Sequence, residues 1–320
     1  MSTIKERIKK NLFYDAYKVY IKDGKNNFNR YNHVLDNTVV YKKIGNESKY
    51  GEVYRGKISS GNNNTLISIK KIPLQIEDLE IFLQNQHYDR ALIFNKKTIW
   101  REIFLLRVCT KLVKLKKSIH LPLHYFFVYS SLNNWNRVVS KNGPYIYCFN
   151  ELAQGDLKNW SVQSRSYHEW ISCFSQIFFG LYCLQYYCGF LHNDLHWGNI
   201  LFYQVPKGGC WVYKIRDKEY FIQNEGFLFV LWDFGMSSLV PSLKGVKEHS
   251  KSCQDFLKIL NTPKWIKKNY EQVAVPKSIS DFCIHTRSYE YTSMEHLLEK
   301  VIGKFVKNTG SKPIETYTIC

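Results

Sequence analysis

The chain predicts an α+β fold, with strands concentrated in its first half and helices in its second. Three observations predict this. Leu66-Ile67-Ser68-Ile69-Lys70-Lys71-Ile72 alternates apolar and polar residues as a strand does, and segments around 39–45 and 52–58 read the same way. Trp100-Arg101-Glu102-Ile103-Phe104-Leu105-Leu106-Arg107-Val108 has apolar residues at helical spacing, and 170–191 is long and uncharged. Hydrophobic content of 45% with 16% aromatics argues against disorder, and 320 residues are enough for a substantial core.

Taken in order, residues 1–37 form a polar, basic lead-in with some helical pattern over 4–20. Residues 38–150 should hold strands around 39–45, 52–58 and 65–72, an extra helix over 76–94, a helix near 98–110, and strands near 124–130 and 144–150. Residues 151–320 should be mainly helical. Within them, 210–213 and 220–222 suit a hairpin around the charged turn Arg216-Asp217-Lys218-Glu219. After Asp255, apolar pairs at 265–266, 294–298 and 301–305 suggest two or three helices, followed by a polar tail from Asn308. No repeat of 20–50 residues and no low-complexity tract is visible.

Chemistry enters with Leu191-His192-Asn193-Asp194-Leu195-His196-Trp197-Gly198-Asn199-Ile200 and, downstream, Leu231-Trp232-Asp233-Phe234-Gly235. Phosphoryl transfer from ATP asks for an Asp that orients the attacking hydroxyl. It also asks for an Asn and a second Asp that hold magnesium against the phosphates. Asp194, Asn199 and Asp233 supply these in the right order.

These residues resemble the catalytic loop and magnesium-binding triplet of the protein-kinase superfamily, over roughly 38–260. The resemblance implies a two-lobed fold: a small, mainly β, ATP-binding lobe over 38–150 and a larger, mainly α, catalytic lobe over 151–320. It gives Lys70 the role of holding the nucleotide phosphates, although alternation alone leaves Lys71 as a rival. Glu102 becomes the ion-pair partner of that lysine, where a lone Glu would be read as a solvated helix-face residue. Ile44-Gly45-Asn46-Glu47-Ser48-Lys49-Tyr50-Gly51-Glu52-Val53-Tyr54 resembles the glycine-rich loop, with Ile44, Gly45, Ser48, Tyr50, Gly51 and Val53 near the nucleotide. The middle glycine is absent, so this loop would approach the phosphates less closely. Tyr145 to Leu157 resembles the hinge. There, backbone groups near Glu151 and Ala153 would meet the adenine edge, and Asp156 would reach the ribose or cap the following helix, two uses of equal weight.

Three departures shape the expectation. Asn193 stands where an arginine usually precedes the catalytic Asp, which disfavours switching by a phosphorylated activation loop. His196 replaces the usual lysine and, as the resemblance implies, would sit near the transferred phosphoryl group, supplying that charge as an imidazolium; His-Trp-Gly-Asn is similar to the haspin-type kinases, and an imidazole ordinarily carries only part of a charge near neutrality. No Ala-Pro-Glu follows Asp233, and Asp255 arrives early as the buried Asp that would prop up the catalytic loop, so the C-terminal part is abbreviated. Heavy use of Asn, Lys, Ile and Tyr adds a likeness to the serine/threonine kinases of large DNA viruses. The implied activity is ATP- and Mg²⁺-dependent transfer to protein Ser or Thr hydroxyls. The alternatives are a small-molecule phosphotransferase of the aminoglycoside or choline type and a pseudokinase binding module.

The formal net charge of +18 would steer acidic partners, so an acidic protein substrate fits; lysine richness on solvated faces explains it as well, and nucleic acid stays open on charge alone. Nine scattered cysteines without Cys-x-x-Cys spacing, and no secretory leader, read as buried thiols of a cytoplasmic or nuclear protein, in host cytoplasm or virion if viral. The uncharged 170–191 is long enough to span a bilayer, but Gln176 and Gln185 interrupt it, and a core helix is expected instead. Composition does not speak to the oligomeric state.

Overall fold

A computed structural model describes residues 38–48, 51–60, 63–74, 78, 99–130, 145–239 and 246–319. The helical patterns at 4–20 and 76–94 lie outside the described residues, residue 78 excepted. The fold is mixed α+β, and the described chain divides into two compact units: 38–110 with 122–152, and 111–121 with 153–319.

In the first unit, β1 (Thr38–Ser48), β2 (Gly51–Ser60), β3 (Asn63–Pro73), β4 (His124–Ser130) and β5 (Tyr145–Glu151) form an antiparallel sheet of order β1-β2-β3-β5-β4. Its register aligns Ile44 with Val53, Val53 with Lys70, and Lys70 with Cys148. Residues directly opposite in neighbouring strands share a face, so Ile44, Val53 and Lys70 stand on one side of the sheet. That side packs on α1 (Ile99–Lys114): Ile72, Phe127, Ile146 and Cys148 form one buried cluster with Trp100 and Ile103. Burying this face is what makes the alternation of β3 informative.

Gly51 is required by crowding. Its φ is +149°, and a Cβ there would come 2.6 Å from the Lys71 carbonyl oxygen. At the other end of the sheet, His124 is buried. Its Nδ1 meets Asn150 Oδ1 at 2.8 Å, and Asn150 Nδ2 donates to the Cys148 carbonyl. Burial depresses the imidazole pKa to about 4, against the pull of the Asn150 hydrogen bond.

The second unit is organised by α3 (Tyr167–Cys188), capped by Ser166 in a reciprocal box with Glu169 and closed by Gly189 in the left-handed region. It is buried without a break from Trp170 to Leu184. The polar interruptions have partners: Gln176 Nε2 donates to the Phe227 carbonyl, Gln176 Oε1 accepts the Phe229 N–H, and Ser172 Oγ donates to the Gln223 carbonyl. A helix with polar groups matched to two neighbouring strands is a core helix, and among the described residues no helix is long and apolar enough to cross a membrane.

Before α3 come β6 (Gly155–Asp156) and α2 (Leu157–Ser161); after it comes β7 (Phe190–Leu191). Then β8 (Ile200–Gln204) pairs antiparallel with β11 (Phe227–Leu231). The hairpin is present as β9 (Cys210–Ile215) and β10 (Lys218–Gln223), joined by the two-residue turn Arg216-Asp217. A two-residue strand β12 (Ser238–Leu239) pairs with β7, and the helices α4 (Val246–Ile259), α5 (Thr262–Asn269), α6 (Lys277–Arg287) and α7 (Met294–Lys300) follow. The 301–305 pattern is a 3₁₀ turn, Ile302–Lys304.

The polar tail is structured. β13 (Pro313–Ile319) pairs parallel with β9, and Tyr317 and Ile319 are fully buried two residues apart, the strand period. Its partner lies about a hundred residues upstream, which local pattern cannot reveal. Lys116 to Glu315 at 2.7 Å and Lys117 Nζ to the Thr318 carbonyl at 3.0 Å hold the strand further. The described cysteines are free thiols, nearly all buried.

The depressed His124 fixes a pH dependence for the first unit. An unfolded histidine takes its proton near pH 6.5 and the folded one near pH 4. The stabilisation is therefore complete above about pH 6.5 and is lost as pH falls toward 4, at about 1.4 kcal/mol per pH unit. Urea unfolding at pH 7 and pH 5 should differ by about 2 kcal/mol from this group, and His124→Gln should remove that increment. An unchanged difference in the variant would reject the assignment.

Candidate active site

In the first unit, Lys70 Nζ donates to Glu102 Oε1 at 2.7 Å, with side-chain exposures of 4% and 6%. Strand β3 aims the lysine and the first turn of α1 supplies the carboxylate. Lys71 points elsewhere: its ammonium lies 4.0 Å from Glu52 Oε2 and over the Tyr145 ring at 4.2 Å. The backbone therefore separates two adjacent lysines that alternation left tied. Ile44 and Val53 share the Lys70 row, and Gly45 and Ser48 lie on β1 before the turn. Tyr50 lies outside the described residues. Glu151 already uses its N–H on the Leu123 carbonyl, and its own carbonyl accepts from Ser68 Oγ.

In the second unit, Ala153 has no backbone hydrogen bond among the described residues, while Gln154 N–H donates to the Phe202 carbonyl. Asp156 caps α2: its Oδ1 accepts the Asn159 N–H at 2.8 Å, and Asn159 Oδ1 accepts the Asp156 N–H. Burial pushes the Asp156 carboxyl up, against that cap.

The loop after β7 is fixed from below. Asp255, buried on α4, accepts the His192 N–H at 2.6 Å on Oδ2 and the Asn193 N–H at 3.0 Å on Oδ1. His192 Nε2 meets the Trp232 carbonyl at 2.8 Å, and burial lowers the ring's pKa, which keeps it neutral. Asn193 then turns through the left-handed region at φ +65°, and Asp194 emerges exposed. Asn tolerates that conformation better than most residues, a signal present in the sequence at this position.

Asn199 Nδ2 donates to the Asp194 carbonyl at 2.9 Å. The β8–β11 register pairs Ile200 with Leu231, and Trp232 N–H donates to the Asn199 carbonyl at 2.8 Å. Asn199 and Asp233 thus leave one end of the same strand pair. Asp233 is also left-handed, at φ +59°, a conformation that costs a non-glycine residue of order 1 kcal/mol or more and is held by its surroundings. Among the described residues no cluster of three or more His, Cys, Asp or Glu could hold a metal alone. One carboxylate and one amide suit Mg²⁺ that completes its shell with water and phosphate oxygens.

His196 has a structural task that the sequence did not reveal. Its Nδ1 accepts the Gly198 N–H at 3.0 Å, capping the 3₁₀ turn Trp197–Asn199. A Cβ on residue 198 would lie 3.0 Å from the His196 ring, so glycine there lets the ring approach. In this bond Nδ1 is the acceptor, and a proton on it would break the cap. Trp197 stacks on Trp265 at 5.0 Å, giving the turn a second support.

No protein-family model matches the chain. Over 79 residues, 23% of its length, the chain is 40% identical to a Frog virus 3 (isolate Goorha) protein named "Putative serine/threonine-protein kinase 019R". The match covers 9% of that relative, so it shows a kinase-like relationship over a short stretch.

The Lys70–Glu102 pair is shielded enough for its removal to be read in stability. Glu102→Gln leaves a buried ammonium without this counter-charge and should lower the unfolding free energy by about 3 kcal/mol in urea titration. Lys70→Met combined with Glu102→Leu should recover most of that loss. A single variant as stable as wild type would mean that the pair is solvated.

Proposed function

We propose that the chain is an atypical serine/threonine protein kinase, transferring the γ-phosphoryl group of ATP with Mg²⁺ to protein hydroxyls. We infer a two-lobed arrangement for it, with residues 38–150 as the small lobe and an abbreviated helical lobe over 151–320. The observation that carries the reading is the β8–β11 register. It sets Asn199 beside Asp233, while the Asn199 side chain holds the Asp194 backbone.

In this reading Asp194, exposed on its loop, orients the acceptor hydroxyl and takes its proton as the hydroxyl oxygen bonds to the γ-phosphorus. The bond to the bridging oxygen breaks and ADP leaves with that electron pair. Asn199 and Asp233 hold Mg²⁺, whose charge offsets that of the phosphates. Lys70, aimed by Glu102, holds the phosphates by its ammonium. Ile44, Val53, Gly45, Ser48, Tyr50 and Gly51 cover the nucleotide, and Ala153, with open backbone groups, meets the adenine edge. Positioning supplies most of the catalysis, since phosphoryl transfer needs little covalent help.

Transfer of label from γ-labelled ATP to Ser or Thr in a protein panel should fall by at least about a hundred-fold in Asp194→Asn, the size of a lost general base. Equal labelling by both proteins, or label appearing only on aminoglycosides or choline, would reject the reading. His196 separates charge from capping. His196→Asn keeps a cap acceptor and should retain activity, whereas His196→Lys keeps a charge, loses about 1 kcal/mol of turn stability and should lose activity. An active Lys variant beside an inactive Asn variant would give His196 a cationic role instead.

A further inference from the structure

A pocket of about 670 Å³ opens between the last turns of α4 and the segment joining α6 to α7. That volume is in the range of ligand-binding clefts. Gln254, Leu257, Lys258 and Asn261 form one wall, at the i, i+3, i+4, i+7 spacing of a single helix face, and Arg287 and Glu290 stand on the other. Asp255, on α4, is spent on the loop after β7, and of the wall residues Lys258 alone hydrogen-bonds to that loop among the described residues.

Two features give the pocket a direction. Lys258 Nζ donates to the Asn193 carbonyl at 3.1 Å, which seats the ammonium one residue from Asp194. An ammonium has three N–H donors, so two remain available toward the pocket. Arg287 ends α6 exposed, and neither cation forms an ion pair among the described residues. Glu290 is the opposing carboxylate, leaving a positive balance among these three. A guanidinium and an ammonium facing one hollow suit a carboxylate, the guanidinium as a fork and the ammonium as a point charge.

We propose that this pocket seats an acidic side chain of the polypeptide acceptor, close to the hydroxyl that Asp194 orients. The inference rests on the kinase reading and narrows its substrate to Ser or Thr flanked by Asp or Glu. The net charge of +18 acts in the same direction, drawing acidic chains toward the surface before the pocket selects among them.

The test uses the full chain and fluorescein-labelled Ser peptides that differ only in their flanks, Asp or Ala. Anisotropy should show the Asp-flanked peptide binding about five-fold tighter, the upper end for one exposed charge pair. Arg287→Glu should erase that preference and Arg287→Lys should keep most of it. In phosphotransfer the Arg287→Glu loss should appear in KM for the Asp-flanked peptide rather than in kcat. Equal binding of both peptides by wild type, or a preference that survives Arg287→Glu, would overturn the proposal. So would a single-stranded oligonucleotide that outcompetes the Asp-flanked peptide and depends equally on Arg287. Asp194-dependent transfer that ignores flanks and Arg287 would sink the pocket while leaving the kinase reading intact. Arg287-dependent binding without any transfer would do the reverse.

Discussion

The loop after β7 depends on one buried carboxylate. Asp255 sits on α4 away from water, where an unpaired acceptor would be costly, and both of its oxygens are used by the consecutive amides of His192 and Asn193. Burial pushes its pKa up, and His192, the two amides and Lys258 pull it back. Two adjacent N–H groups aimed at one carboxylate leave the backbone little freedom, so the chain must leave β7 through the left-handed turn at Asn193. The Asn193 side chain uses that turn: its Nδ2 donates to the Met236 carbonyl at 3.0 Å and to Ser238 Oγ at 2.9 Å. The segment after Asp233-Phe234-Gly235 is thereby tied to the loop by a neutral amide. No phosphate is needed for that link.

A second constraint is register. Asn199 and Asp233 are thirty-four positions apart in sequence, and only the pairing of β8 with β11 makes them neighbours at a strand end. The hairpin between them could take almost any length without moving that end, because loop-closure entropy changes slowly with length. Here the insert became β9 and β10, and β13 completes their sheet. Tyr213 shows how it is anchored: its ring stacks on Phe179 of α3 at 4.6 Å and lies 5.0 Å from Tyr317, and its hydroxyl meets Ser118 Oγ at 2.7 Å. The same helix that buttresses β11 through Gln176 holds the accessory sheet through Phe179.

What could be read in advance follows the range of the interaction responsible. Strands β1 to β5, the helix opening at Glu102, the buried α3 and the β9–β10 hairpin all rest on local periodicity or turn chemistry, and each was legible. Lys70 against Lys71 was legible from the motif register but not from alternation, since both faces of β3 carry apolar residues and only packing on α1 chooses between them. Strand β13 was missed because its partner is distant, and α6 because its buried residues, Ile279, Cys283 and Thr286, make a thin stripe. At the site, the roles proposed for Asp194, Asn199 and Asp233 rest on residue types and their order in the sequence. The capping by His196, the left-handed turn at Asn193 and the hold of Lys258 on a carbonyl are backbone matters, and side-chain identity states them only indirectly.

The two units also solve opposite electrostatic problems. In the first unit Lys70 is buried and paired with Glu102, which holds the end of its flexible four-carbon stem in one place. Such a pair contributes orientation more than stability, because desolvating both charges offsets most of their attraction. Burial favours the neutral form of a carboxylic acid over the carboxylate. Asp194 is exposed, and Asp233 is held by its backbone conformation rather than by deep burial. Asp255 takes the buried place instead, where a carboxylate satisfied by amides acts as an anchor. Asp194, Asp233 and Asp255 thus sit in three different environments, exposed, half-buried and buried, set by the backbone around Asn193 and Asn199.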